Sequence, residues 1–357
     1  MSTIRIAGDA GSALSHFAMY GLAAIGDEAG LGPVTMWWTM DAQPKPMLDL
    51  GTAEPIDLAR AFYDVIQKLD EDGEWPSLTV EYGAGAKKSP MSPFSPRIKA
   101  IDAEKNPDDW PRHQKARHAV LDRLTADGRY LDLALIKALG EAAYWRTENK
   151  DPRPDHGASR WEMKTRNRGE EFVQHRFLLM VSELAKWSVE EILEGISGAK
   201  VRDTLANNPV DSRTSTGFTP PGAADVALSF AALTGISMFP MAHRVHHINV
   251  TPGAYPTRVL HPTAMVLPVP TIPLRRERLS GILLSKQLAF VVEQVGTMFD
   301  VRETDVDAAG EIKLEAARKW LTDRGVPGVV RFPIFKGGSA SAPERQALAG
   351  TVVPHGR

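Results

Sequence analysis

The sequence predicts an α/β (α+β) fold, with open, mixed sheet layers, packed helices and long basic loops. Three observations carry that expectation. Strand-like and helix-like stretches alternate through residues 3–69, a small apolar helix pattern sits mid-chain at 223–233, and a helix-then-strand pair closes the series at 312–335. Alternation of this kind is the grammar of layered α/β proteins, in which each helix buries one stripe against a neighbouring layer.

Residues 3–7 read as a first strand. After a turn rich in glycine, Leu14, Phe17, Ala18, Gly21, Leu22 and Ile25 trace the i, i+3, i+4, i+7 stripe of a helix. Residues 34–40, which include Trp37 and Trp38, offer a second strand, and Leu58, Ala61, Phe62, Val65, Ile66 and Leu69 set one apolar face on a helix over 57–69. Further helices are expected at 109–124, with His113, Lys115, Arg117 and Arg123 on the polar side, at 131–139, and at 170–187. Beyond the centre, 265–269 reads as a strand, 274–288 as a helix, 290–298 as either, 312–321 as a helix and 329–335 as a late strand. Gly337, Gly338 and Ser339 open a polar tail expected to be flexible through Arg357. The chain divides into an N-terminal α/β module (1–83), a basic, loop-rich and helical insert (84–168) and a central and C-terminal α/β region (169–357), and a length of 357 residues fits more than one domain.

Two stretches stand out by charge. Residues 82–96 hold three prolines and a Gly-Ala-Gly run, which predicts a long loop, and from Lys87 to Lys99 the cations Lys87, Lys88, Arg97 and Lys99 occur without an acid. The densest basic run is 160–168, where Arg160, Lys164, Arg166 and Arg168 face one acid, Glu162. Either stretch can grip a phosphate backbone or be a solvated loop. Trp161 can stack on a base or anchor the loop to the core.

The centre of the chain combines a fold signal with a partner signal. A hydroxyl-rich loop at 212–222 contains Arg213, Thr214, Ser215 and Thr216 and ends in Pro220, Pro221 and Gly222, whose conformations suit the start of a helix. That helix, 223–233, is apolar on nearly every side, so burial against a sheet is expected, and Gly235 reads as its stop. Residues 236–240 read as a short strand, followed by a histidine-rich segment, 242–250. Between Asp225 and Glu277 no acidic residue occurs, while Arg244, Arg258, Arg275 and Arg276 and four histidines do. Hydroxyls, backbone N–H groups and a helix N-terminus beside such a segment can hold phosphates; the same pattern also fits a core helix with a polar surface hairpin. Arg275 and Arg276 fall at the start of a helix, where the dipole disfavours cations, as happens where positive charge serves another purpose.

The residues Ser212, Thr214, Gly217, Pro221, Gly222, Asp225, Ala227, Leu233, Gly235, Ile236, Phe239 and Pro240 form a pattern that resembles the central motif of a CRISPR-associated subunit of type I-U/I-G Cascade systems, a large-subunit-like family of about 350 residues. His16, Phe17, Gly21, Leu22 and Ala23 resemble the same family's opening strand-and-helix motif, while residues 9–13 depart from it. The resemblance covers about a quarter of the chain. It implies a non-catalytic subunit of an RNA-guided surveillance complex in a large-subunit role: contacting the duplex motif beside the target, binding and opening target DNA, and recruiting the helicase-nuclease. Guide RNA, target DNA, sibling Cascade subunits and the helicase-nuclease are then the expected partners. On that reading Lys87, Lys88, Arg97, Lys99, Arg160, Lys164, Arg166 and Arg168 grip phosphates. Arg213, Thr214, Ser215, Thr216, Arg244, His246, His247, Asn249, Arg258, Arg275 and Arg276 lie near nucleic acid.

Composition bounds the alternatives. The net charge of −2 argues against wholesale coating of nucleic acid and leaves local basic patches open. With no cysteine, disulfides, thiol nucleophiles and cysteine-based metal sites are excluded. No leader pattern or apolar run of membrane-spanning length occurs, so a cytoplasmic protein with no membrane partner is expected. Phosphate-binding, dinucleotide-binding, zinc-protease and nucleophile-elbow motifs do not occur, and Ser197 with Lys200 has the acylase spacing without its companion motifs. The expectation is therefore a binding protein without catalytic residues, metal or cofactor. Two alternatives stay open: a backbone-type subunit holding guide RNA, with residues 243–258 as its thumb, and a stand-alone metal-dependent enzyme using His243, His246 and His247.

Overall fold

The computed structural model describes residues 2–83, 89–97, 101, 105–143, 147–148, 151–152, 154–163, 172–205, 216–244, 247–297, 308–339 and 342–355. The N-terminal elements are β1 (Thr3–Arg5), α1 (Ala13–Glu28), β2 (Thr35–Trp38), β3 (Pro46–Asp49) and α2 (Pro55–Leu69). Next come β4 (Val80–Tyr82), β5 (Ser89–Met91), α3 (Asp109–Ala126), α4 (Tyr130–Leu139), β6 (Thr147–Glu148), β7 (Asp151–Pro152), α5 (Leu178–Leu184), α6 (Val189–Ser197) and α7 (Val226–Thr234). The chain closes with β8 (Ala254–Tyr255), β9 (Ala264–Pro268), β10 (Leu274–Arg275), α8 (Arg276–Leu283), α9 (Lys286–Thr297), α10 (Ala308–Thr322), β11 (Gly328–Ser339), β12 (Ala342–Ala347) and β13 (Thr351–Pro354). The result is a mixed fold of helices and sheets, as the alternation predicts.

The fold is built around α1. It is apolar or small on nearly every side and buried from Ala13 to Gly26, so it cannot be a surface helix. Its partner is α7, which is buried along its whole length and packs on α1 rather than on a sheet. Glycine allows the close approach: a Cβ on Gly21 would run into the Ala231 carbonyl, and one on Gly235 into that of Phe17. Gly235 is thus present for space, since its φ of −61° is ordinary, and the chain continues as a 3₁₀ turn, Gly235–Met238, where a strand was expected. Phe17 stacks between Phe218 and Phe239, with ring centroids 4.0 and 4.9 Å away. Asp225 caps α7, accepting from the N–H groups of Ala227 and Leu228 at 2.9 and 3.1 Å.

All strand pairs among the described residues are antiparallel, which corrects the expectation of a mixed sheet. β1 and β2 run the same way, but β3, a strand the sequence pattern hides behind Pro46, inserts between them, with Leu48 opposite both Ile4 and Met36. β10 completes this first sheet beside β2, giving the order β1-β3-β2-β10. The second sheet has the order β12-β11-β9-β8, with β13 also on β11. Register shows why: Phe335 pairs with Gln346 and Val330 with Val352, so β12 and β13 are one strand broken at 348–350, running back along β11. The segment expected to be a flexible tail is therefore integral to the sheet. Its polar Glu344, Arg345 and Gln346 conceal it from hydrophobic patterning, although Arg345, Gln346 and Ala347 are all buried.

Other expectations shift in detail. Residues 290–297 are helical within α9, which packs on β8 and β9, while α10 packs on α9 and β11. The proline-rich stretch expected as a loop holds β5, which pairs antiparallel with β4, and residues 91–96 are buried. His113 and Arg117, placed on the polar side of α3, face inward: the Arg117 guanidinium donates to the Pro93 carbonyl at 2.9 Å and lies over the Phe94 ring. The helix expected over 170–187 comprises a π segment, Val173–Phe177, followed by α5. One hydrophobic core, from Ile4 to Ala347, draws on all three regions expected as separate modules. No helix among the described residues is long and apolar enough to cross a membrane.

Candidate nucleic-acid interface

The segment 155–162 is where separate sequence signals meet. After the 3₁₀ turn Pro154–Gly157 it runs extended and buried, bridging Gly140 at Ala158, while Ser159 N–H donates to the Leu139 carbonyl at 2.9 Å. Most of its carbonyls accept from side chains, and three arginines supply donors. Arg160 donates to the carbonyls of Leu260 (3.0 Å), Asp155 (2.7 Å) and Ala158. Arg345, from β12, donates to those of Arg160 (3.0 Å) and Glu162 (2.7 Å). Arg97 donates to that of Ser159 at 3.0 Å and pairs with the carboxylates of Glu162 at 3.0 Å and Asp155 at 3.7 Å. A guanidinium carries five N–H donors in a rigid fork, so it can gather several carbonyls at once.

Burial makes this cluster electrostatically strained. Arg160 and Arg345 are each 1 % exposed. Desolvation first, then the Arg97 charge, lowers Arg160 to about 9, and the same effects, with Arg160 added, hold Arg345 well below the ordinary arginine value. His261, half-buried beside them, falls to about 4, first through desolvation and then through Arg345, Lys336, Arg97 and Arg160. Asp155 and Glu162 offset part of the positive field at Arg160 and Arg345.

Two loops are fastened to the same segment. The loop 242–250 is closed by the Ala242–Val250 bridge and held down by Asn249, which is fully buried. Asn249 accepts from Arg244 N–H at 3.0 Å, donates to the Gly157 carbonyl at 3.3 Å and, through its own backbone N–H, to that of His156 at 3.1 Å. Arg244 and His247 stay exposed on this loop. The β8–β9 connection, 256–263, carries exposed Arg258 and is tied down by the bond from Arg160 to Leu260.

No family model, curated protein or solved structure matches the chain. The site therefore stands on its own geometry. Of the residues expected to touch nucleic acid, Arg244, His247 and Arg258 are exposed around segment 155–162, and Arg97 and Arg160 lie at its centre. Arg160 is corrected from a surface grip to a buried carbonyl clamp, because the extended segment needs its donors. Asn249 is likewise a buried loop anchor, and Arg97 is held in two ion pairs. Thr216 is buried, its hydroxyl accepting from Phe218 N–H at 3.0 Å. Trp161 is the core anchor of its two readings, donating to the Pro252 carbonyl at 3.1 Å.

Arg275 and Arg276 belong elsewhere, on β10 and α8 at the first sheet, where the Arg276 guanidinium faces Asp27 at 3.5 Å and Glu277 at 3.8 Å. Those acids answer the breach of the helix-dipole rule for Arg276, and Arg275 is exposed. Lys87, Lys88, Lys99, Lys164, Arg166, Arg168, Arg213, Thr214, Ser215 and His246 lie outside the described residues. Of the histidine trio only His246 is among these: His247 is exposed, His243 is engaged through its Nδ1 with the Asn249 amide at 3.0 Å, and no group of three or more His, Asp or Glu placed to hold a metal occurs among the described residues. Sequence reasoning missed Lys336 and Arg345. The Gly-Gly-Ser-Ala-Ser run between two strand-like stretches is a hairpin signal that could have found them.

Proposed function

We propose that this chain is a non-catalytic, cytoplasmic subunit of an RNA-guided type I CRISPR (Cascade-like) surveillance complex, in the large-subunit role of binding and opening target DNA and recruiting the helicase-nuclease. Guide RNA, target DNA and sibling subunits are its partners on this reading. The observation that carries it is the gathering of cations from four separate stretches, Arg97, Arg160, Lys336 and Arg345, beneath two loops that expose Arg244 and Arg258. Exposed cations on loops pinned to a hydrogen-bonded base with an excess of cations suit a phosphate backbone, whose recognition needs charge and position more than reactive groups. The two stretches behind the resemblance also form one packing unit, α1 on α7 with Phe17 between Phe218 and Phe239. That supports reading them as parts of a single motif.

A backbone-type subunit is the second reading, favoured by the closed loop 242–250 that projects Arg244. Purification under native conditions separates the two. Co-elution with RNA and sibling subunits, one copy per assembly, is the expected result; several copies per assembly select the backbone role. Elution as a lone chain free of RNA overturns both.

A further inference from the structure

The β11–β12 hairpin breaks a rule of strand pairing. Lys336 and Arg345 sit directly opposite one another, so two like charges share one face of the arm. Such a pair is destabilising unless something of opposite sign lies between or beside it. The described groups around it leave the pair's own two charges without a counter-charge. Arg97 and Arg160 are matched in number by the carboxylates of Asp155 and Glu162, so nothing in that set offsets Lys336 and Arg345.

His261 is next to this group, on the loop that Arg160 ties down through Leu260. Among the described residues, every side-chain charge that acts on its ring is positive. Its Nδ1 is buried without a hydrogen-bond partner among those residues, and so is the Nε of Arg160. Orphaned polar atoms of this kind are uncommon in a folded protein and call for a missing partner. Lys336, by contrast, is exposed, so the group opens to solvent at that side.

We propose that Lys336, Arg345 and His261 form a subsite for one phosphate group, seated at the base of the β11–β12 arm over the Arg97–Arg160 cluster. Among the described residues, four cations facing two carboxylates leave an excess that a phosphate anion balances, and its acceptor oxygens suit a group of donors. The buried arginines act through their field, since their terminal N–H groups hold the carbonyls of Leu260 and of segment 155–162, while Lys336 makes the direct contact. That the phosphate belongs to a nucleic-acid strand rests on the function proposed above; the subsite itself does not.

The test is a titration of the full-length protein, labelled with ¹³C at histidine Cε1, followed by NMR. Inorganic phosphate is added at pH 7 against sodium chloride of matched ionic strength, with His261→Gln identifying the resonance. The expected result is a saturable movement of the His261 signal with phosphate only, lost in Lys336→Glu and weakened in Lys336→Gln. Both substitutions are at an exposed position and leave the core intact, unlike any change at Arg345. Equal movement with chloride, or full movement in Lys336→Glu, overturns the subsite. A single-stranded oligoribonucleotide that moves the same signal and is competed by phosphate supports the strand as source. Phosphate binding without oligonucleotide binding overturns that source and leaves the subsite standing.

Discussion

Replacing glycine by alanine inside a helix ordinarily stabilises a protein, because alanine loses less backbone entropy on folding, by about 1 kcal/mol. Gly21 of α1 reverses that sign. A Cβ there would sit 2.9 Å from both the Ala231 carbonyl carbon and Gly235 N, backbone atoms that cannot rotate aside, besides meeting the Ala231 oxygen. Relieving the overlap means pushing α1 and α7 apart across a fully buried contact, an overpacking cost of about 1–3 kcal/mol and occasionally more. Gly281 of α8 is the control: it is exposed, and a Cβ added there would meet no described atom within 4 Å. Gly281→Ala is expected to gain about 0.5–1 kcal/mol and Gly21→Ala to gain nothing and lose up to about 2 kcal/mol net. Urea denaturation reads both as shifts in midpoint at unchanged slope. Equal stabilisation by the two substitutions would refute the packing of α1 on α7 and, with it, the placement of the central motif.

Acid sensitivity follows from two buried histidines. Burial lowers His16 to about 3, despite its bond to the Ala10 carbonyl, and lowers His113 to about 3, with Arg117 contributing. An unfolded histidine titrates near 6.5, so the unfolded chain binds protons first. Stability is complete above about pH 6.5 and is lost as pH falls toward 3, at roughly 1 kcal/mol per pH unit for each histidine near pH 5.5. Buried carboxyls such as Asp225, pushed up by desolvation, act with the opposite sign, so the measurement is the difference between wild type and His113→Phe. The variant should show a shallower fall from pH 6 to 5 by about one proton's worth; parallel curves would contradict the burial of His113. Asp225→Ala removes the acceptor for Ala227, Leu228 and Arg202 N–H groups at once. A loss of about 2–3 kcal/mol in denaturation is expected, at or above the upper end for a helix cap, and a loss under about 0.5 kcal/mol would argue against that triple role.

What the sequence makes legible depends on how many residues a signal spans. The stripe from Leu14 to Ile25 and the face from Leu58 to Leu69 are repeated patterns, and α1 and α2 fall within a few residues of expectation. Short strands give no such repetition. Pro46–Asp49 falls between the strand expected at 34–40 and the helix expected at 57–69, where no element was expected, yet it reorganises the first sheet by separating β1 from β2. Side-chain charge misleads in a second way. Arg160, Arg117 and Arg345 look like surface cations, but each is recruited inward by backbone carbonyls that only tertiary structure brings near. Long-range partners such as Arg160 with Leu260 and Arg345 with Glu162 leave no mark in local spacing. The acid-free window from 226 to 276 does foretell exposed Arg244 and Arg258, because like charges gather there over a long stretch.

On the proposed function, exposed cations on the loops above segment 155–162 contact phosphates. The most direct measurement is the salt dependence of binding, wild type against the double variant Arg244→Glu with Arg258→Glu, on a single-stranded RNA and on a DNA duplex. Each phosphate contact contributes a slope of about 0.7–0.9 in log affinity against log salt concentration. The double variant should bind more weakly at every salt concentration and lose roughly two contacts' worth of slope. Identical affinity and identical slope for the two proteins would contradict the account.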